Sequence, residues 1–113
     1  MHEMSLTESV VEILREEARR QGFSRVKTVW LEVGALGGVE PEAMEFCFDV
    51  VTRGTLAEGA RLEIIRTPGR GYCLDCGEES PLEERFGACP KCGCHHMQMT
   101  AGDELRVKEL EVD

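Results

Sequence analysis

The sequence predicts an α+β fold: two helices and a small three-stranded mixed sheet, with a cysteine-rich module inserted into it. Apolar residues recur at helical spacing in two stretches and alternate at strand spacing in three; between residues 67 and 102 they give way to Gly, Pro and paired cysteines. The pairs are Cys73-Leu74-Asp75-Cys76-Gly77 and Cys89-Pro90-Lys91-Cys92-Gly93, with twelve residues, Gly77 to Ala88, between the second and third cysteines. Four thiolates so spaced can close a tetrahedron around Zn²⁺, which makes the insert a zinc-ribbon-like four-cysteine module held by Cys73, Cys76, Cys89 and Cys92. A disulfide framework and a dithiol redox site are the competing readings. A redox motif needs only one pair, opening a helix in a βαβ unit, and two matched pairs in Gly/Pro surroundings favour metal. Glycine after each pair suits a turn that exits through a left-handed residue, since it has no Cβ to clash there.

The first helix rests on Leu6, Val10, Leu14 and Ala18, spaced by four with Val11 beside them, and on Glu12, Arg15, Glu16 and Arg19 along the polar side. Ser5 and Glu8 read as a capping box at its start, Gly22 as its terminator. Val26 to Val33 is β-type, with Val29, Leu31 and Val33 on one face and Thr28, Trp30 and Glu32 on the other. Gly34, Gly37 and Gly38 interrupt it. Pro41 then suits the first turn of a second helix, Glu42 and Glu45 lie near its positive end, and Ala43, Met44, Cys47, Val50 and Val51 form its buried face. Arg61 to Arg66 alternates through Leu62 and Ile64 as a second strand. Thr67 to Gly71 leads into the cysteine module and Thr100 to Asp103 leads out. Glu104 to Val112 is the third strand, its phase changing between Val107 and Leu110, which suggests a bulge near Lys108 or Glu109.

These elements divide the chain into an α/β domain, residues 1–66 with 103–113, and a zinc-binding module, residues 67–102. If each short connection reverses direction and the crossover between the first two strands is right-handed, the module hangs from the end that also holds Met1-His2-Glu3 and Glu40.

At 113 residues the chain has room for one ordinary core and a small satellite. The module is too poor in large apolar residues to fold by burial, so its order should come from metal binding. The net charge is −9, with 22 acidic against 13 basic residues, and the module is itself acidic, which disfavours nucleic acid as a partner. No apolar run reaches the length of a membrane helix and no secretory signal pattern opens the chain, so the sequence reads as a cytoplasmic protein whose cysteines stay reduced or metal-bound.

Outside the four cysteines, the residue with the most chemistry is His2. Methionine is expected to be retained before so large a residue, so an amine, early amides and an imidazole fall in one short chelating segment, a set suited to the tetragonal field of Ni(II) or Cu(II). A histidine at that position is also read simply as a solvated chain end. Glu3 and Glu40 add charge at the same end, and His95 and His96 could join a coordination sphere from the module. Cys94, His95 and His96 also read as an ordinary surface loop just past the second pair, with a zinc-ligand swap the next possibility, and Cys47 as a small core residue. No nucleophile set, phosphate loop or open metal centre suggests an enzyme.

Met1-His2-Glu3-Met4-Ser5, the segment from Gly34 to Glu42, the two cysteine pairs and the closing Glu104-Leu105-x-Val107-x-x-Leu110-Glu111-Val112 together resemble the HypA/HybF family of hydrogenase maturation factors, over essentially the whole chain. The resemblance implies a nickel metallochaperone for [NiFe]-hydrogenase, acting with a GTPase of the same maturation pathway and with the hydrogenase large-subunit precursor, without nucleic acid or membrane. It implies His2 as the nickel anchor, assisted by Glu3 and backbone nitrogens, and structural zinc on Cys73, Cys76, Cys89 and Cys92. Met1, Glu40, His95 and His96 remain further nickel candidates; Glu40 stands where some members have Asp. The Gly/Pro hinges leave a homodimer or domain exchange open. The alternative is a zinc-ribbon module that binds a protein or nucleic acid and handles no nickel.

Overall fold

The computed structural model describes residues 2–113. In chain order its elements are α1 (Glu3–Gln21), β1 (Val26–Gly34), α2 (Pro41–Val51), β2 (Arg61–Thr67), β3 (Arg70–Cys73), β4 (Glu79–Pro81), β5 (Met97–Ala101) and β6 (Leu105–Val112). Two three-stranded sheets result, ordered β2-β1-β6 and β4-β3-β5. The chain forms two compact units: one contains the chain up to Leu31, Val39–Ile65 and Arg106–Asp113; the other contains Glu32–Gly38 and Arg66–Leu105.

In the first unit α1 packs against α2, and the core is built from Val10, Val11 and Leu14 of α1, Met44, Cys47 and Phe48 of α2, and Val26, Val29 and Leu31 of β1. Burying each such side chain contributes about 1.5–3 kcal/mol. The buried stripe of α1 is Glu3, Thr7, Val10, Val11 and Leu14. Two of these are polar, and hydrophobic periodicity passes over them. Thr7 stays satisfied because its hydroxyl donates to the carbonyls of Glu3 (3.0 Å) and Met4 (2.9 Å). Cys47 is a core residue, 2 % exposed. Thr28, buried on β1, donates to a Glu111 carboxylate oxygen at 2.7 Å, so a polar pair joins the central strand to β6. On β6 the half-buried positions are Leu105, Val107 and Leu110, which preserves the phase change read across Lys108 and Glu109.

The helix starts differ in one respect from the sequence reading. No capping box forms at Ser5: α1 begins at Glu3, its N-cap is His2, and no side chain caps it. Glu3 is nearly buried and one of its carboxylate oxygens accepts the backbone N–H of Glu40, the N-cap of α2, at 3.2 Å. That tie extends the helix toward the chain start, beyond where a serine cap worth about 1 kcal/mol would have ended it. At the other end Gly22 closes the helix as expected, at φ 79° with its N–H on the carbonyl of Ala18.

In the second unit, the segments read as lead-in and lead-out are strands. β3 pairs antiparallel with β4 and with β5, so Gly71 faces Ser80 on one side and Met99 on the other. These strands are three to five residues long and carry no run of alternating large apolar residues, so periodicity could not find them. Backbone approach is closest around Gly34. Its N–H donates to Glu104 O (2.8 Å), Leu36 N–H donates to Gly102 O (2.6 Å), and a Cβ on Gly34 would lie 2.1 Å from that same Gly102 oxygen. Only a residue without a side chain fits there. We expect Gly34→Ala to destabilise the protein by about 1–3 kcal/mol or more through overpacking against backbone; a melting curve within about 0.5 kcal/mol of the parent, the range of inert surface changes, would contradict this crowding.

Candidate metal centres

The two cysteine pairs fold into matching turns. In the first, Gly77 N–H donates to Cys73 O (2.9 Å) and the Cys76 amide to Cys73 Sγ (3.3 Å). In the second, Gly93 N–H donates to Cys89 O (2.8 Å) and the Lys91 amide to Cys89 Sγ (3.4 Å). Gly77 and Gly93 sit at φ 72° and 78°, the left-handed exit for which glycine is suited. The first turn closes the β3–β4 hairpin; the second lies between β4 and β5.

The sulfurs of Cys73, Cys76, Cys89 and Cys92 all lie within 4.8 Å of one another. Cys73 and Cys92 are 3.6 Å apart, Cys76 and Cys89 3.8 Å. A zinc–sulfur distance of about 2.3 Å in a tetrahedron requires sulfur separations of about 3.8 Å, so the cluster has the size and the donor chemistry of a Zn²⁺ site. Electrostatics point the same way. The Cys76 amide and then the Cys94 thiol pull Cys73 down to about 6. The Cys92 amide holds Cys89 below the usual thiol range. Cys76, drawn down by the Glu78 amide, is nonetheless pushed up to about 12 by burial and the sulfurs of Cys73, Cys89 and Cys92. Cys92, drawn down by the Cys94 amide, ends at about 11 because of the Cys94 and Cys73 sulfurs. Two thiols are thus shifted down and two up, the pattern expected where four like groups converge without a cation. A divalent ion removes that conflict and expels the remaining protons. Lys91 Nζ, 2.9 Å from Glu78 Oε1, ties one turn to the other.

A second donor group lies beside the first. Asp75 from the first turn and Cys94 and His96 from beyond the second bring their ligand atoms within 4.8 Å of one another. His96 Nδ1 is 2.9 Å from Asp75 Oδ2, and Cys94 Sγ is 3.1 Å from Cys73 Sγ. The His96 side chain, followed by the Cys94 thiol, holds the Asp75 carboxyl below its ordinary range. Asp75 is not singled out by the sequence reading. The symmetry of the two turns is the available signal, because pairing them juxtaposes the inner residues of one with the residues after the other. His95 is exposed and belongs to neither group.

At the start of α1, His2 is exposed and stands as N-cap, its carbonyl accepting the Leu6 N–H at 2.9 Å. The amides ahead of Leu6 have no partner within the helix, as at every helix N-terminus. The Glu3 carboxylate is held below the usual range first by the Glu40 amide and then by its own amide. The Glu40 side chain is exposed. Met1 lies outside the described residues.

The sequence model of the HypA family, described as "Hydrogenase/urease nickel incorporation, metallochaperone, hypA", matches residues 1–112. The chain is 63% identical to the hydrogenase maturation factor HypA of Alkalilimnicola ehrlichii and 58% identical to that of Rhodopseudomonas palustris, each over 113 residues and the full length of both chains. Among solved structures it is similar to the Ni metallochaperone HypA from Helicobacter pylori, with a TM-score of 0.75 at 24% identity over 99% of this chain and 97% of the other, a likeness of fold. No helix among the described residues is long and apolar enough to cross a membrane.

Removing metal with a strong chelator under reducing conditions should abolish hydrogen-exchange protection at the Leu74, Gly77 and Gly93 amides while leaving Val29 and Leu31 protected. Retained protection at the two glycines after chelation would mean that the module folds without zinc.

Proposed function

The chain belongs to the HypA family, the metallochaperones of hydrogenase and urease nickel incorporation, and on that premise we propose that it holds nickel at its N-terminal turn and delivers it to the large-subunit precursor of a [NiFe]-hydrogenase. The observation that carries this reading is the match of that family along residues 1–112, with an exposed His2 at the N-cap of α1. Hydrogenase is favoured as client because the full-length relatives are named hydrogenase maturation factors. A GTPase of the same maturation pathway is the expected co-worker, the cytoplasm the expected compartment, and self-association or domain exchange through the Gly/Pro hinges a further property of the chain.

The two metals divide the labour. Zinc, on Cys73, Cys76, Cys89 and Cys92, would supply folding energy to residues 67–102, and a sphere filled by four thiolates offers no position for exchange. Nickel is cargo, and cargo must leave. An imidazole in solvent beside helix-start amides suits such a role, since those nitrogens are donors of the kind Ni(II) accepts in a planar or tetragonal field. Copper would bind the same donors more tightly, so selectivity has to come from geometry and from delivery by partners.

Glu3 takes part chiefly as a positioning residue in this scheme. One of its oxygens is engaged by the Glu40 amide, which fixes the first turn of α1 against the start of α2 and brings the Glu40 backbone beside it. Its negative charge lies at the same turn as His2, where it favours a bound cation. Glu40, His95 and His96 are secondary nickel candidates, and the amine of Met1 another.

Nickel titration of zinc-loaded protein, followed by transfer to the purified precursor, tests the proposal. His2→Ala should weaken nickel binding by at least about tenfold and abolish transfer while zinc content is unchanged; equal affinity in the two proteins removes His2 from the mechanism. Glu3→Ala should speed hydrogen exchange at the Glu40 amide, and Glu3→Gln, which keeps an acceptor oxygen, should not. If Glu3→Ala leaves that amide equally protected, the positioning role is lost.

A further inference from the structure

We propose that Asp75, Cys94 and His96 form a second cation site, separate from the N-terminal turn, that takes one borderline divalent ion beside the zinc centre. Three donors of different chemistry, a carboxylate oxygen, a thiol sulfur and an imidazole nitrogen, converge within 4.8 Å from two segments. The backbone under them is held in place. Cys89 N–H donates to Cys94 O at 2.7 Å, and Leu74 N–H, next to Asp75, donates to His96 O at 3.0 Å, so the turns that position the zinc thiolates also position these donors. The Asp75–His96 contact orients the imidazole, with Nδ1 turned to the carboxylate at 2.9 Å.

Charge supplies the driving force. Four thiolates around one Zn²⁺ carry a formal charge of two minus, and Asp75 adds another negative group at its edge. The nearest cation tying the two turns, Lys91, is already paired with Glu78. Cys94 Sγ stands 3.1 Å from Cys73 Sγ, closer than the sulfurs of one tetrahedral zinc site, about 3.8 Å apart. Cys94 is therefore not a fifth member of the zinc tetrahedron; its sulfur stands beside that site, grouped with the Asp75 and His96 ligand atoms within 4.8 Å. A mixed sulfur, nitrogen and oxygen set excludes Mg²⁺ and Ca²⁺, which take oxygen, and suits Zn²⁺, Co²⁺ or Ni²⁺. Asp75 and His96 are exposed and Cys94 is half-buried, so an ion can reach all three from solvent.

Co²⁺ titration of protein carrying one zinc, in a His2→Ala background, tests the site by absorption spectroscopy, with zinc release followed by a chromogenic chelator. We expect one further Co²⁺ per chain with thiolate-to-cobalt charge transfer. That band should vanish in Cys94→Ser, and affinity should fall by at least about tenfold in His96→Ala and Asp75→Asn, with zinc content equal to the parent's throughout. Absence of cobalt uptake, equal uptake in Cys94→Ser, zinc released in step with cobalt binding, or zinc lost from Cys94→Ser would each overturn the proposal, leaving Cys94 as a partner of Cys73 and His96 as a partner of Asp75 alone. Because the background lacks His2, either result leaves the nickel titration of the N-terminal turn to be judged on its own.

Discussion

Four sulfurs brought within 4.8 Å of one another are the constraint on which the second unit depends. Its buried apolar side chains are few: Val33, Leu36 and Leu82, with Cys73 and Cys89. Burial on that scale does not offset the conformational entropy of ordering the 47 residues of this unit, at roughly 1–2 kcal/mol each for the backbone alone. A metal ion that binds only the folded arrangement makes up the difference, since its binding free energy becomes folding free energy. The hairpin of β3 and β4 and the return through β5 are then arranged around the two turns.

The N-terminal turn is built on the opposite principle. His2 is exposed, the helix-start amides face no helical partner, and the one firm contact there, Glu3 to the Glu40 amide, fixes backbone and leaves the imidazole free. For the nickel role proposed for this turn, that incompleteness is what would let the ion leave. The module gains from closure, because a filled tetrahedron with thiolates held by turn amides has no vacant position through which the ion could pass to another protein.

Much of this is legible without coordinates because short-range chemistry carries it. Cys73, Cys76, Cys89 and Cys92 follow from spacing, Gly77 and Gly93 from the left-handed turn such spacing needs, and Gly22 from helix termination; all three glycines adopt the positive φ expected. Val10, Val11 and Leu14 follow from helical period and are buried. Other features are hidden for identifiable reasons. Glu3 and Thr7 join the buried stripe of α1 although polar, because each finds a hydrogen-bond partner that periodicity cannot see. Phe48 joins Met44 and Cys47 as the buried residues of α2, whereas Ala43, Val50 and Val51 are only half-buried. The strands of the second sheet are too short and too poor in large apolar residues to register as alternation.

What the sequence determined alone was chemistry of local origin: the donor types, the turn around each cysteine pair, the helical and extended stretches, the acidic charge and the membership of a nickel-handling family. What only the tertiary structure decided was which groups separated along the chain stand together. Glu3 meets Glu40 across 37 positions, Gly34 meets Gly102, and Asp75 meets Cys94 and His96 because two similar turns face each other. A motif specifies the conformation of its own few residues through sterics and hydrogen bonding. Proximity between distant segments depends on packing and strand register summed over the rest of the chain, so no local pattern encodes it.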